Sequence, residues 1–143
     1  MRPYISGVTD VLPDGNCGYR VVAAAMGFGV DAWRKVRTDL SRTLLHTPAL
    51  FESVFHVRER VMEFQRVLDY FDDTPAPRDH WMTMPEMGYI IATCYGVTVI
   101  HLCRSLCLTC LPLYAHSEAH QDVEIREICI GFVNGDHFVQ VRL

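Results

Sequence analysis

The stretch Pro13-Asp14-Gly15-Asn16-Cys17-Gly18-Tyr19-Arg20 places a thiol where a turn gives way to a helix. Its first four residues are all turn formers, and the preceding Val8 to Leu12 is apolar and β-branched enough for a strand. The following Val21 to Met26 is apolar, alanine-rich and bounded by a glycine, which is typical of a buried helix. We therefore predict strand, turn and helix in that order, with Asn16 as the N-cap and Cys17 in the first helical turn.

A cysteine at a helix N-terminus has two interpretations. The helix dipole and free N–H groups favour thiolate over thiol, so they are expected to lower the pKa of Cys17 below its usual value of about 8.5. The same N–H groups, with those of the turn, could stabilise an oxyanion on a substrate carbonyl. Alternatively, Cys17 is a small buried residue of the core, as free cysteines often are. A general base supplied from elsewhere in the chain would favour the catalytic interpretation over the structural one.

A candidate base lies near the other end of the chain, in Gly131-Phe132-Val133-Asn134-Gly135-Asp136-His137-Phe138-Val139. Asn-Gly between two apolar runs is a strong hairpin signal. We predict that Cys129 to Val133 pairs with Phe138 to Leu143. His137 would then lie beside the turn, at the rim of a sheet.

These two segments are where the sequence resembles a known family. Asp14 to Arg20 is similar to the D-G-N-C-x-[FY]-R signature of ovarian-tumour (OTU) cysteine proteases, and Asn134 to Phe138 is similar to their late N-x-x-H-[FY] block. His80-Trp81-Met82-Thr83-Met84-Pro85-Glu86-Met87 also resembles the segment before the middle helix in OTU domains of mobile-element and plant or fungal type. The resemblance spans nearly the whole chain and implies the papain-like OTU fold.

The resemblance also implies a catalytic site. Cys17 would be the nucleophile and His137 its base, while Asp14 would shape the loop before the nucleophile. Backbone N–H groups of Asp14, Gly15, Asn16 and Cys17 would form the oxyanion hole.

One element of the family pattern is missing. Many OTU enzymes carry an Asp or Asn two residues after the histidine, where it orients the imidazole. The corresponding residue here is Val139, which can accept no hydrogen bond. Three interpretations stay open: another acceptor serves, the domain works as a dyad, or it is inactive. The candidate acceptors are Asp10, Asp14 and Asp136.

The family's activity implies a cysteine-dependent deubiquitinase that acts on conjugates of ubiquitin or a ubiquitin-like modifier. The arginines in the tail of ubiquitin would favour an acidic groove, and the candidates for it are Asp72, Asp73, Asp79 and Glu86; a solvated acidic loop is the alternative for each. The alternative function is a catalytically weak or inactive OTU-like module that binds ubiquitin.

Composition limits the other possibilities. With 143 residues, the chain is expected to form a single domain over residues 1–143. A net charge of −4 argues against nucleic acid as a partner. The apolar runs are short, and Met1 to Tyr4 lacks the apolar core of a signal peptide, so we expect no membrane partner and an intracellular location, in the cytoplasm, the nucleus or both. A monomer without a cofactor is expected.

The order of elements predicts an α+β fold, with helices packed on a mostly antiparallel sheet and the Cys17 helix against that sheet. Helical periodicity covers 30–45, 49–55 and 57–71, and a further helix begins near Pro85 and ends at Gly96. Strands are predicted over 97–102, 106–114, 123–133 and 138–143, with a polar loop over 115–122.

A cysteine-rich segment offers a rival site. Cys103, Cys107 and Cys110 lie near His101, His116 and His120, and thiolate and imidazole suit zinc. The spacing matches no paired zinc knuckle, and small apolar residues such as cysteine pack well in strands and tight turns. The C-x-x-x-C-x-x-C spacing also occurs in radical SAM enzymes, but their barrel needs a much longer chain. We therefore predict no metal site.

Overall fold

The computed structural model describes residues 5–55, 58–105, 107–113 and 126–143. The helices are α1 (Cys17–Ala25), α2 (Trp33–His46), α3 (Pro48–Phe55), α4 (Arg58–Leu68) and α5 (Glu86–Tyr95). The strands are β1 (Gly7–Thr9), β2 (Thr98–Leu102), β3 (Leu108–Cys110), β4 (Glu127–Val133) and β5 (His137–Arg142). Single 3₁₀ turns cover Val30–Ala32 and Arg78–His80.

The five strands form one sheet in the order β1-β5-β4-β2-β3. All neighbouring strands are antiparallel except β2 and β4, which are parallel. The sheet is therefore mostly antiparallel, and the α+β class predicted from the sequence is confirmed. Because β1 pairs with β5, the first described strand lies directly beside the last one.

The core is formed where α1 and α5 pack on the sheet and α2 packs on these two helices. Helix α1 is buried almost throughout because its side chains are apolar and small, and it contacts β5 and β4. Helix α5 packs on α2 and β2, and Gly96 ends it in the left-handed conformation, with φ at 65°. This packing places the N-terminus of α1 next to the N-terminus of β5.

Most predicted elements occur with shifted ends. The helix expected from residue 30 starts as a 3₁₀ turn and becomes α2 at Trp33, and the strand expected over 106–114 is reduced to Leu108–Cys110. The predicted loop over 115–122 and the start of the strand over 123–133 lie outside the described residues. Within the described part of the chain, no helix is long and apolar enough to cross a membrane.

Candidate active site

The Cys17 thiol lies where α1 meets the beginning of β5. Cys17 is the first residue of α1 and is only 6% exposed. The backbone N–H groups of Phe138 and Gly18 lie close to its sulfur and favour the thiolate. The contact with Phe138 brings the thiol beside the residue that directly follows His137.

The pKa of the Cys17 thiol is raised, opposite to the sequence-based expectation. Burial is the largest cause, and the nearby Asp14 carboxylate raises the pKa further. The N–H groups of Phe138 and Gly18 lower it, but not enough to offset burial. The helix N-terminus alone would lower the pKa of the thiol, but the sulfur has also lost its surrounding solvent, which raises the pKa. The resting state is therefore the thiol, and a base is needed to remove its proton.

His137 is held by a carboxylate from the other end of the chain. Its Nε2 lies 2.6 Å from Oδ1 of Asp10. A carboxylate only accepts hydrogen bonds, so Nε2 carries the proton and Nδ1 of the neutral ring keeps its lone pair. Nδ1 is buried and has no hydrogen-bond partner among the described residues. It is therefore the nitrogen of the neutral ring that can accept a proton.

Asp10 is exposed, yet its pKa is lowered. The main cause is the hydrogen bond from His137, and the backbone N–H of Val11 adds a second one, 2.8 Å from Oδ1. The carboxylate consequently stays ionised well into acidic conditions. A persistent negative charge on Oδ1 fixes the tautomer of His137 and would stabilise its protonated form.

The position of Asp10 accounts for the missing acid at residue 139. Asp10 directly follows Thr9, the last residue of β1, and Thr9 pairs with Gln140 of β5. Val139 itself packs in a small apolar cluster with Ile100, Cys129 and Val141. The carboxylate that contacts His137 comes from Asp10, the residue after the end of β1. Sequence reasoning gave Asp10 as one of three candidates and could not choose among them.

The other two candidates have different environments. Asp14 Oδ1 accepts the backbone N–H of Asn16 at 3.1 Å, and Asp14 Oδ2 accepts Nη2 of Arg20 at 2.7 Å. Burial raises the pKa of Asp14, but these hydrogen bonds outweigh it and the net pKa is lowered. Asp14 thus ties the turn to α1, which is the role that the resemblance implies for it. Asp136 lies exposed in the β4–β5 turn.

The side chain of Asn16 has a role that the sequence did not indicate. Asn16 occupies the N-cap position, but its side chain makes no capping hydrogen bond. Its Oδ1 instead accepts Nε and Nη2 of Arg37, at 3.1 and 2.8 Å. Asn16 is thus the N-cap residue, as predicted, but its side chain is bonded to Arg37, a fully buried residue on α2.

Arg37 links the nucleophile turn to distant parts of the fold. It also donates to the carbonyl oxygens of Val67 and His80, at 2.8 and 3.0 Å, and lies over the ring of Tyr19, 4.0 Å from its centroid. Burial lowers the pKa of Arg37. A buried cation held by carbonyl oxygens and an aromatic face fixes several segments at once.

The turn before Cys17 also packs closely on the segment that precedes α5. The N–H of Ala76 donates to the carbonyl of Asp14 at 2.8 Å, and the indole N–H of Trp81 donates to the carbonyl of Ala76 at 2.9 Å. Gly15 has a φ of 81°, and a Cβ built there would lie 2.4 Å from the Ala76 oxygen. Only glycine satisfies both the backbone conformation and the space.

The predicted oxyanion donors differ in availability. The N–H of Asn16 is already taken by the Asp14 carboxylate. The N–H of Cys17 points toward its own sulfur. We retain the backbone of Gly15 and Cys17 as the donors to test.

The four acidic residues predicted for the substrate groove divide into two pairs. Asp73 forms an ion pair with Arg34, and Glu86 forms one with Arg60. Asp72 and Asp79 are exposed, and Asp79 lines a surface cavity beside α4. Their part in substrate binding stays a prediction.

The cysteine-rich segment forms the β2–β3 hairpin. Cys110 is buried, and burial raises its pKa to about 11, while Cys107 is exposed. In the described part of the chain, no three side chains of His, Cys, Asp or Glu come together as metal ligands. His116 and His120 lie outside the described residues.

Comparison with known proteins identifies the fold. The OTU domain of OTUD1 matches with a TM-score of 0.65 and 18% identity over 94% of this chain and 83% of that one. The viral OTU domain protease from Qalyub virus matches with a TM-score of 0.65 and 14% identity over 95% and 83%. The Hazara virus OTU, in a structure bound to ubiquitin, matches with a TM-score of 0.60 and 18% identity over 96% and 80%.

No protein-family model matches the sequence, and no curated protein does either. The structural matches nevertheless agree with each other over almost the entire chain. The chain therefore has the fold of an OTU domain, and the resemblance predicted from the two motifs is confirmed at the level of the fold.

Proposed function

We propose that this protein is a cysteine-dependent deubiquitinase in which Cys17, His137 and Asp10 act as a triad. The observation that carries the proposal is the state of His137: Nε2 is held by Asp10 at 2.6 Å, and buried Nδ1 is unpartnered among the described residues. The thiol lies near the backbone N–H of Phe138, the residue that directly follows His137. The OTU fold, and a neighbour of that fold bound to ubiquitin, support the substrate class.

The geometry suggests a general-base mechanism. Because burial raises the pKa of Cys17, the thiol gives its proton to His137 Nδ1 as it attacks the carbonyl of the peptide or isopeptide bond. Asp10 stabilises the imidazolium that forms. The imidazolium then protonates the leaving amine, and water attacks the thioester to release the acyl group and the free thiol. Backbone N–H groups of Gly15 and Cys17 are proposed to stabilise the oxyanion.

The remaining assignments belong to the same proposal. The modifier is ubiquitin or a ubiquitin-like protein, and the protein acts as an intracellular monomer. Asp72 and Asp79, the two exposed carboxylates of the predicted groove outside the ion pairs with Arg34 and Arg60, would meet a basic tail. Exchanging either for Asn should then weaken binding of an arginine-containing tail.

A ubiquitin probe with a thiol-reactive electrophile at its C-terminus tests the proposal. Wild-type protein is expected to gain the mass of one probe, and the Cys17→Ala variant to gain none. Peptide mapping distinguishes Cys17 from the other five cysteines. The matched control is Cys107→Ala, which removes an exposed cysteine and should leave the adduct unchanged.

The alternative function, an inactive ubiquitin-binding module, predicts a different result. Ubiquitin would bind without forming an adduct, because the raised pKa of Cys17 would leave the thiol unreactive. If ubiquitin neither binds nor reacts, the substrate class is wrong, and other ubiquitin-like modifiers are the next probes.

A further inference from the structure

A second cavity lies directly beside the candidate active site. Its volume is about 320 Å³, at the small end of the range for ligand pockets. Its walls come from three parts of the chain: the segment before α5, the end of β2, and the β4–β5 hairpin. They include Met82, Met84, His101, Ser105, Phe132 and Phe138.

Two wall residues join this cavity to the nucleophile. The backbone N–H of Phe138 lies close to the Cys17 sulfur, while its ring lines the cavity. Met82 packs on the first turn of α1, where a Cβ built on Gly18 would lie 2.7 Å from its sulfur. A group in the cavity would therefore be one or two side chains away from the scissile bond.

His101 is the unusual member of this cavity. It lies on β2 and is only 5% exposed, yet neither ring nitrogen has a hydrogen-bond partner among the described residues. The rings of Phe132 and Phe138 flank it, with centroid separations of 6.4 and 6.3 Å. Burial lowers the pKa of His101, so the ring is neutral, with one N–H donor and one acceptor nitrogen.

A packing role alone does not account for this histidine. Buried polar groups are normally hydrogen-bonded, and leaving one without a partner is unfavourable. The neighbours of His101 across the sheet are Leu108 on β3 and Ile130 on β4, so an apolar side chain would suit this position. His101 lines the cavity, so a group bound there is the nearest candidate partner for its ring nitrogens.

We propose that this cavity binds a substrate side chain with an aromatic body and an uncharged hydrogen-bonding tip, best matched by tyrosine, whose hydroxyl pairs with His101. The aromatic and thioether walls would hold the ring through contacts that such groups favour. Among the described residues, no lysine, arginine or carboxylate lines the cavity, so a charged tip would lack a counter-ion there. Selectivity of the enzyme for substrates with such a side chain rests on the proposed function. Binding of the side chain in the cavity does not depend on catalysis.

Side-chain analogues test the pocket without any turnover. The protein, with ¹⁵N-labelled histidine rings, is titrated with p-cresol as the tyrosine analogue and with toluene as the phenylalanine analogue. We expect p-cresol to shift the ring nitrogens of His101 and to bind about ten-fold more tightly than toluene. The ubiquitin probe tests the proposed hydrolase activity separately. A protein that does not react with the probe is therefore distinguished from one whose cavity does not bind the analogues.

Variants assign the preference to His101. His101→Phe should lose the preference for p-cresol and keep or raise the melting temperature, because no unpartnered nitrogen remains; His101→Leu serves if that variant does not fold. Ser105→Ala removes the hydroxyl at the rim and should retain the preference. Equal binding of the two analogues to wild type, no shift of the His101 nitrogens, or a retained preference in His101→Phe would each overturn the proposal.

Discussion

A single exposed carboxylate, Asp10, determines how His137 can act. Exchanging Asp10 for Asn keeps the size of the side chain but removes the charge, and the amide can present either an oxygen or an N–H group to Nε2. The tautomer of His137 is then no longer fixed. We expect kcat on a fluorogenic ubiquitin substrate to fall by between about 10² and 10⁴.

Asp136→Asn is the matched control, because Asp136 directly precedes His137 and is exposed. It should leave kcat within about two-fold of wild type, as a surface change away from the reacting atoms does. If Asp136→Asn lowers kcat as much as Asp10→Asn, or if Asp10→Asn has no effect, the assignment of the triad is wrong.

The raised pKa of Cys17 predicts a specific pH dependence of its reactivity. Only the thiolate reacts with iodoacetamide, and burial shifts thiolate formation to higher pH. The alkylation rate of Cys17 should therefore keep rising as the pH passes about 8.5, the ordinary cysteine value. Mass spectrometry of the Cys17 peptide between pH 6 and about 10 measures this rate. A plateau below neutral pH would mean a preformed thiolate and would contradict the burial argument.

At the level of elements, Arg37 links helix α2 to the turn before the nucleophile. Arg37→Met keeps most of the side-chain volume but leaves Asn16 Oδ1 and the carbonyls of Val67 and His80 without their donor. We expect the free energy of unfolding to fall by about 2–4 kcal/mol. Activity should fall even where the variant is fully folded, because Asn16 no longer holds the turn.

Arg34→Met is the matched control on the same helix. Arg34 is partly exposed and pairs with the exposed Asp73, so its loss should change the free energy of unfolding by less than about 1 kcal/mol. Urea denaturation of both variants gives the comparison. A similar loss in the two variants would mean that the buried network of Arg37 is no more important than a surface ion pair.

The elements also show what sequence patterns can determine. The hairpin of β4 and β5 followed from Asn134-Gly135, and the start of α1 followed from its turn formers, since both signals are local. The pKa of Cys17 was predicted wrongly, and the contact of the Asn16 side chain with Arg37 was not predicted. Both depend on groups far away in sequence: Arg37 takes the Asn16 side chain, and the surrounding core removes solvent from the sulfur. Asp10 could not be chosen over Asp14 or Asp136 because its contact with His137 depends on strand pairing.

At the scale of the whole molecule, the candidate site is formed by residues that are far apart in the sequence and meet through strand pairing. Asp10 and His137 are 127 residues apart in sequence and meet because β1 pairs with β5. Strand β1 has only three residues and lies at the edge of the sheet, whereas β5 is held between β1 and β4. Short edge strands open at a lower free energy than the central strands. Asp10, the acid of the proposed triad, therefore lies at the end of one of the less stable strands of the fold.

This arrangement predicts that activity is lost before the fold is lost. At urea concentrations just below the unfolding transition, β1 should open locally and release Asp10 while the central strands stay paired. Activity on the ubiquitin substrate should fall there, whereas circular dichroism stays at its native value. In Asp10→Ala, which has no polar side chain at this position, opening of β1 removes no contact with His137, so the residual activity should follow the circular dichroism. Coincident loss of both signals in wild type would instead mean that β1 opens only with the whole domain, and that the edge position of Asp10 has no consequence for catalysis.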